Sequence, residues 1–256
     1  MSRLQELFNK KQQRVVNVYC TAGFPALDST LIVMKALQEN GADIIELGMP
    51  YSDPLADGEV IQASSTQALQ NGMTIEVLFE QLAAMRKEIS IPVILMGYMN
   101  PILQYGFEAF CKKAKEVGID GLILPDLPLY EFETIYQAIT KENGLDFIFL
   151  VTPETSAERL VKLDQLSSGF LYAVSSSATT GKDKDFNAVA LYLKTLQQSN
   201  LKNPILVGFG IKDKSTFEAV AAHANGAIIG TAFIKALQEN NDVATTTKSF
   251  LNSVLN

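Results

Sequence analysis

The segment 15–47, VVNVYCTAGFPALDSTLIVMKALQENGADIIEL, decides the fold. It opens on an apolar, β-branched run, Val15–Cys20, passes through a turn bearing Gly23 and Pro25, and then shows a helical pattern over Ser29–Asn40. Gly41 follows where a glycine commonly stops a helix. A second apolar run, Ile44–Leu47, completes a β-α-β unit. The unit recurs. Runs at Val93–Met96, Gly121–Leu124, Asp146–Leu150, Phe170–Val174, Ile205–Val207 and Ala227–Ile229 bring the predicted strands to eight. Each is almost continuously apolar, as parallel strands covered on both faces must be.

Helical patterns lie between these runs. Phe107–Val117 ends at Gly118, and Thr155-Ser156-Ala157-Glu158 starts a helix with a hydroxyl cap and an acid in the first turn. Lys214–His223 and Asp242–Leu255 are further helices, and Met1–Gln13 reads as an extra helix ahead of the first strand. Eight β-then-α units predict an α/β fold, a (βα)8 TIM barrel forming a single domain over residues 1–256. A doubly wound open sheet is the alternative. No linker or low-complexity segment interrupts the pattern.

Composition narrows the function. The 256 residues are 47% apolar and 19% charged, with a net charge of −7. That balance, with no Lys/Arg cluster, disfavours nucleic acid as a partner. A negative global field also does little to attract an anion, so any phosphate site must be local. Cys20 and Cys111 read as reduced, buried thiols. The segment Met1–Lys11 is polar without an apolar h-region, and no apolar run approaches a membrane span, so the cytoplasm is the expected compartment and no membrane partner is expected. The one histidine, His223, falls at a helix end away from the barrel mouth. With no Cys/His cluster and no Ser-His pair, metal binding and a histidine-based triad are not expected.

In a barrel the active site lies in the βα loops. The loop after the second strand, Gly48-Met49-Pro50-Tyr51-Ser52-Asp53-Pro54-Leu55-Ala56-Asp57-Gly58, is the richest in special residues. Glu46 stands at the expected strand end before it and should point into the mouth, where burial would raise its pKa toward neutrality. An ion pair with Lys or Arg is the alternative. Asp57 either folds over a ligand or caps the helix before Gly58. Three glycine-bearing loops, Thr179-Thr180-Gly181, Gly208-Phe209-Gly210-Ile211 and Gly230-Thr231-Ala232, follow the last three strands and suit a phosphate held by backbone N–H groups. Inward strand ends Tyr19, Met96, Ile123, Tyr172, Phe209 and Ile228 would form an apolar slot beside it.

The run ELGMPYSDPLADG (46–58), Pro125-Asp126-Leu127-Pro128, Tyr172-Ala173-Val174-Ser175 with Thr180-Gly181, Gly208-Phe209-Gly210-Ile211 and Gly226–Thr231 together resemble the tryptophan synthase α-subunit family. The match runs in order along essentially the whole chain, and its first motif is the specific one. The resemblance implies retro-aldol cleavage of indole-3-glycerol phosphate to indole and glyceraldehyde 3-phosphate. Glu46 matches the acid/base and Asp57 the carboxylate that bonds the indole N–H. Gly181, Phe209, Gly210, Gly230 and Thr231 match the phosphate site, Tyr172 a pocket residue, and Thr180 a threonine that bonds the aspartate on loop closure. Asp53-Pro54 matches a contact with the β subunit of an α2β2 assembly, where pyridoxal phosphate belongs; the α subunit itself is implied to use no cofactor. One departure stands out. Ser175-Ser176-Ser177-Ala178-Thr179-Thr180-Gly181 lacks the arginine and one glycine found in many members, which implies intact chemistry with altered closure kinetics. Another phosphate-binding barrel, such as a sugar-phosphate isomerase or an indole-glycerol-phosphate synthase, is the enzymatic alternative, although no strand-end lysine of the synthase type is seen. A non-catalytic ligand-binding partner is the third reading.

Overall fold

The structure, a computed structural model, describes residues 1–174, 186–208, 210–239 and 242–256. Its strands are β1 (Val15–Thr21), β2 (Ile44–Gly48), β3 (Val93–Met96), β4 (Gly121–Ile123), β5 (Asp146–Phe147), β6 (Leu150–Val151), β7 (Leu171–Val174), β8 (Ile205–Gly208) and β9 (Gly226–Ile229). All neighbours pair in parallel, in the order β5-β4-β3-β2-β1-β9-β8-β7-β6. The predicted fifth strand, Asp146–Leu150, is split into β5 and β6. The two are halves of one stave. The Ile148 N–H donates to the Leu122 carbonyl on one side at 3.0 Å, and Phe149 accepts from the Tyr172 N–H on the other at 3.0 Å. Both ends of the strand order therefore meet in one segment, and the sheet closes into the (βα)8 barrel.

Closure divides the apolar residues into two sets. One fills the space between sheet and helices. The other, with Val15, Ile44, Ile94, Ile123, Ile148, Phe170, Leu206 and Ile228, fills the barrel interior. Leu4 and Phe8 of the N-terminal helix (Arg3–Lys10) join this inner set, and the Phe8 ring lies 6.3 Å from that of Phe170. This helix thus plugs the end of the barrel where the strands begin, and leaves the mouth at their C-terminal ends.

Several helices carried too little periodicity to be read in advance. The stretch Gly97–Pro101, expected as loop, mostly belongs to a helix, Met99–Tyr105. Pro101 sits in its first turn, where the missing N–H has no intrahelical acceptor to lose. Helices Glu59–Gln70 and Thr231–Glu239 follow β2 and β9 and flank the mouth. Cys20 and Cys111 are free and buried. Among the described residues, no helix is long and apolar enough to cross a membrane.

Candidate active site

Glu46 enters the barrel by the pleat of β2. Ile44 faces the inner core, so Glu46, two residues on, shares its face. It is the third of five strand residues, one layer deeper than the strand end expected from the sequence. Only 1% of it is exposed. Asn17, inward on β1, donates its Nδ2–H to Glu46 Oε2 at 2.7 Å. Among the described residues no Lys or Arg pairs with Glu46, so the ion pair allowed by the sequence does not form. Burial pushes its carboxyl up to about 8; the Asn17 bond opposes that rise and the nearby Asp57 charge adds to it. A group titrating there can give and take a proton near neutral pH.

Asp57 does not cap the helix that follows. Gly58 occupies the N-cap position with no side-chain cap bond, while the Asp57 carboxylate accepts a 2.9 Å bond from the Tyr98 hydroxyl. Asp57 is half-buried; burial raises its pKa and the Tyr98 bond works against that rise. The cavity that Glu46 and Asp57 share has a volume of about 410 Å³ and lies at the C-terminal mouth. Tyr19, Met96, Tyr172, Gly210, Ile228, Gly230 and Thr231, all singled out from the sequence, line it as well.

Two glycines make room for the two tyrosines. A Cβ on Gly48 would collide with the Tyr19 hydroxyl, and one on Gly208 would stand 2.6 Å from the Tyr172 ring. Gly208, read from the sequence only as part of a phosphate loop, is thus also required by packing. Both phenols are held well above their ordinary pKa, first by burial and then by Glu46 and Asp57, so they stay neutral donors and acceptors.

The side of the cavity after β8 and β9 differs in chemistry. Gly210 has φ +46°, in the left-handed region. Gly230, Thr231 and Ala232 bring the N-terminus of helix Thr231–Glu239 to the cavity, a place where unpaired N–H groups and the helix dipole favour an anion. Lys212 and Lys235 also line this side, and neither forms an ion pair among the described residues. The glycine loops on this side are therefore accompanied by two cations that the expectation of a backbone-made site did not include. The signal was present: Lys212 follows Gly210 by two, and Lys235 follows Thr231 by one helical turn.

Ile123, the last residue of β4 and the register partner of Met96, is fully buried in the inner core and is not among the residues that line the cavity. Thr180, Gly181 and Phe209, with the departing 175–181 segment, lie outside the described residues. Asp53 and Pro54 sit away from this cavity, on the outer part of the loop, with Asp53 exposed beside Leu55, itself 90% exposed. Conversely, Asn17, Tyr98, Lys212 and Lys235 were not recognised from the sequence. Among the described residues, no group of three or more His, Cys, Asp or Glu could hold a metal ion.

The family model for the tryptophan synthase alpha chain matches residues 4–254. The chain belongs to that family. The tryptophan synthase alpha chain of Bacteroides thetaiotaomicron is 49% identical over 243 residues, covering 94% of this chain and 95% of its own. That of Flavobacterium johnsoniae is 51% identical over 232 residues, covering 90% and 92%. Among solved structures, tryptophan synthase subunit alpha from Legionella pneumophila superposes with a TM-score of 0.90 at 34% identity, over 99% of this chain and 97% of that one. A chain of the aminoacrylate-bound tryptophan synthase from M. tuberculosis gives 0.86 at 31% identity, over 99% and 100%. The tryptophan synthase alpha family cleaves indole-3-glycerol phosphate in tryptophan biosynthesis, which makes the chain an enzyme of the lyase class.

Proposed function

We propose that Glu46 and Asp57 carry the retro-aldol cleavage of indole-3-glycerol phosphate in this cavity. The observation that carries the assignment is a buried carboxyl without a cationic partner among the described residues, poised at about 8, facing one cavity with a second carboxylate held by Tyr98. Glu46 delivers a proton to the ring carbon that bears the glycerol chain. The positive charge that develops spreads to the ring nitrogen, and Asp57 accepts the bond from that N–H. The glycerol hydroxyl next to the ring then loses its proton to Glu46. The carbon–carbon bond breaks, its electrons restore the aromatic ring, and the hydroxyl carbon becomes the aldehyde of glyceraldehyde 3-phosphate. Proton count balances through one residue that acts first as acid and then as base.

The phosphate lies on the side of Gly210, Gly230 and Thr231, where the helix N-terminus, Lys212 and Lys235 supply positive potential. Tyr19, Tyr172 and Met96 offer the indole ring an apolar wall. The reaction asks for no cofactor in this chain. Its partner is the β subunit, in an α2β2 assembly in the cytoplasm with pyridoxal phosphate in the β active site, and the exposed Asp53–Leu55 corner suits that contact. The decisive experiment measures indole released from indole-3-glycerol phosphate by the wild type, Glu46→Gln and Asp57→Asn, each with and without a β subunit. Both variants should lose at least about a hundredfold in kcat, the scale of a lost general acid/base or charge stabiliser. Wild-type turnover in either variant would overturn the assignment.

A further inference from the structure

We propose that Tyr98 is the positioning residue for Asp57, holding its carboxylate and the loop that carries it in one geometry at the barrel mouth. This rests on the role given to Asp57 above. The loop between β2 and helix Glu59–Gln70 contains Pro50 and Pro54, which have no N–H to offer. Near its far end, the Tyr98 oxygen accepts from the Ala56 N–H at 3.1 Å and its proton goes to Asp57 Oδ2 at 2.9 Å. The direction of both bonds is forced. An amide N–H only donates, so the phenol oxygen must accept there, and its single proton is left for the carboxylate.

Tyr98 is itself fixed from behind. It is the N-cap residue of helix Met99–Tyr105, and only 4% of it is exposed. The Asp126 carboxylate takes the Met99 N–H at 3.1 and 3.0 Å, which supplies the helix start with the acceptor that Tyr98 does not give it. The Tyr51 ring lies 5.5 Å from that of Tyr98, and Asn100 Nδ2 donates to the Tyr51 hydroxyl at 3.0 Å. Segment 98–100 therefore grips the loop at both Tyr51 and Ala56–Asp57. Around Asp57, the cavity presents Glu46 from β2, Tyr19 from β1, Tyr172 from β7, and the cations Lys212 and Lys235. Among the described residues, none of these groups donates to the Asp57 carboxylate, whereas Tyr98 does so. That bond favours the ionised form against burial.

Tyr98→Phe in the full chain keeps the ring and its packing and removes both bonds. The expected result is a kcat lower by roughly tenfold or more, the worth of one hydrogen bond to a charged group, with KM within about twofold. The acid limb of the kcat profile moves to higher pH, because Asp57 loses the donor that favours its charge. In the Asp57→Asn background the same substitution should cost little more. A second readout needs no turnover: the carboxyl 13C resonance of Asp57, assigned by its loss in Asp57→Asn, should titrate with a higher midpoint in Tyr98→Phe. Asp126→Ala, which loosens the start of the helix, should move it in the same direction by less. An unmoved midpoint, or an equal tenfold loss in the Asp57→Asn background, would overturn the proposal. A wild type inactive on indole-3-glycerol phosphate would instead sink the proposed function, and the titration would still decide the role of Tyr98.

Discussion

Glu46→Gln should make the protein more stable as pH rises while it removes activity. The wild-type carboxyl is buried to 1% exposure and moved from an ordinary 4.5 to about 8. Its folded pKa is raised, so the folded state holds the proton more tightly than the unfolded chain does. That contribution to stability is whole below about 4.5 and is lost as pH climbs through about 8. At about 1.4 kcal/mol for each pH unit, the loss relative to acid is roughly 1 kcal/mol at pH 5, 3 at pH 7 and 5 at pH 9, where it levels off. Glutamine fits the same space, still accepts from Asn17, and never ionises. Any fixed cost of the amide is the same at each pH, so the slope is the test. Urea unfolding of both proteins at pH 5, 7 and 9 should show the difference shift in favour of Glu46→Gln by roughly 4 kcal/mol from the first to the last. A difference that stays flat, or shrinks with pH, would refute the picture of a deeply buried Glu46 carboxyl.

Three further outcomes follow from the same geometry. Asn17→Leu removes the bond that favours the ionised Glu46, so the basic side of the Glu46 titration in the kcat/KM profile should move to higher pH; an unmoved profile would count against the Asn17–Glu46 bond at 2.7 Å. Lys212→Met and Lys235→Met should each raise KM by roughly three- to tenfold with kcat nearly unchanged, because an exposed cation aids phosphate binding equally in ground and transition states; steady-state kinetics at low and high salt would check it, with the loss smaller at high salt. Gly48→Ala should push the Tyr19 ring into the cavity, costing roughly 1–3 kcal/mol in thermal unfolding and most of the activity, whereas full activity would mean that the ring has another place to go.

The strands and the large acid-bearing loop were legible because continuous apolar runs and Gly/Pro turns leave a direct trace in the chain. Glu46 was legible for the same reason, since one acid inside an otherwise apolar run has to be explained. Its depth was not. A strand boundary moves by a residue or two without changing the pattern, and only the pairing of Tyr19 with Glu46 and Glu46 with Ile94 put it a layer below the rim. Ile123 alternates inward as expected and ends β4 level with Met96, but its side chain packs into the inner core and not into the cavity wall.

By itself, then, the chain determined an eight-fold β-then-α order and two carboxylates near its second strand, because those depend on residue type and spacing along the backbone. The tertiary structure decided what each carboxylate touches. Asn17 reaches Glu46 across 29 positions, Tyr98 reaches Asp57 across 41, and the lysines after β8 and β9 come to the same cavity only because the barrel closes. Hydrogen bonds and burial act through space over a few ångströms, and distance along the chain carries almost no record of them.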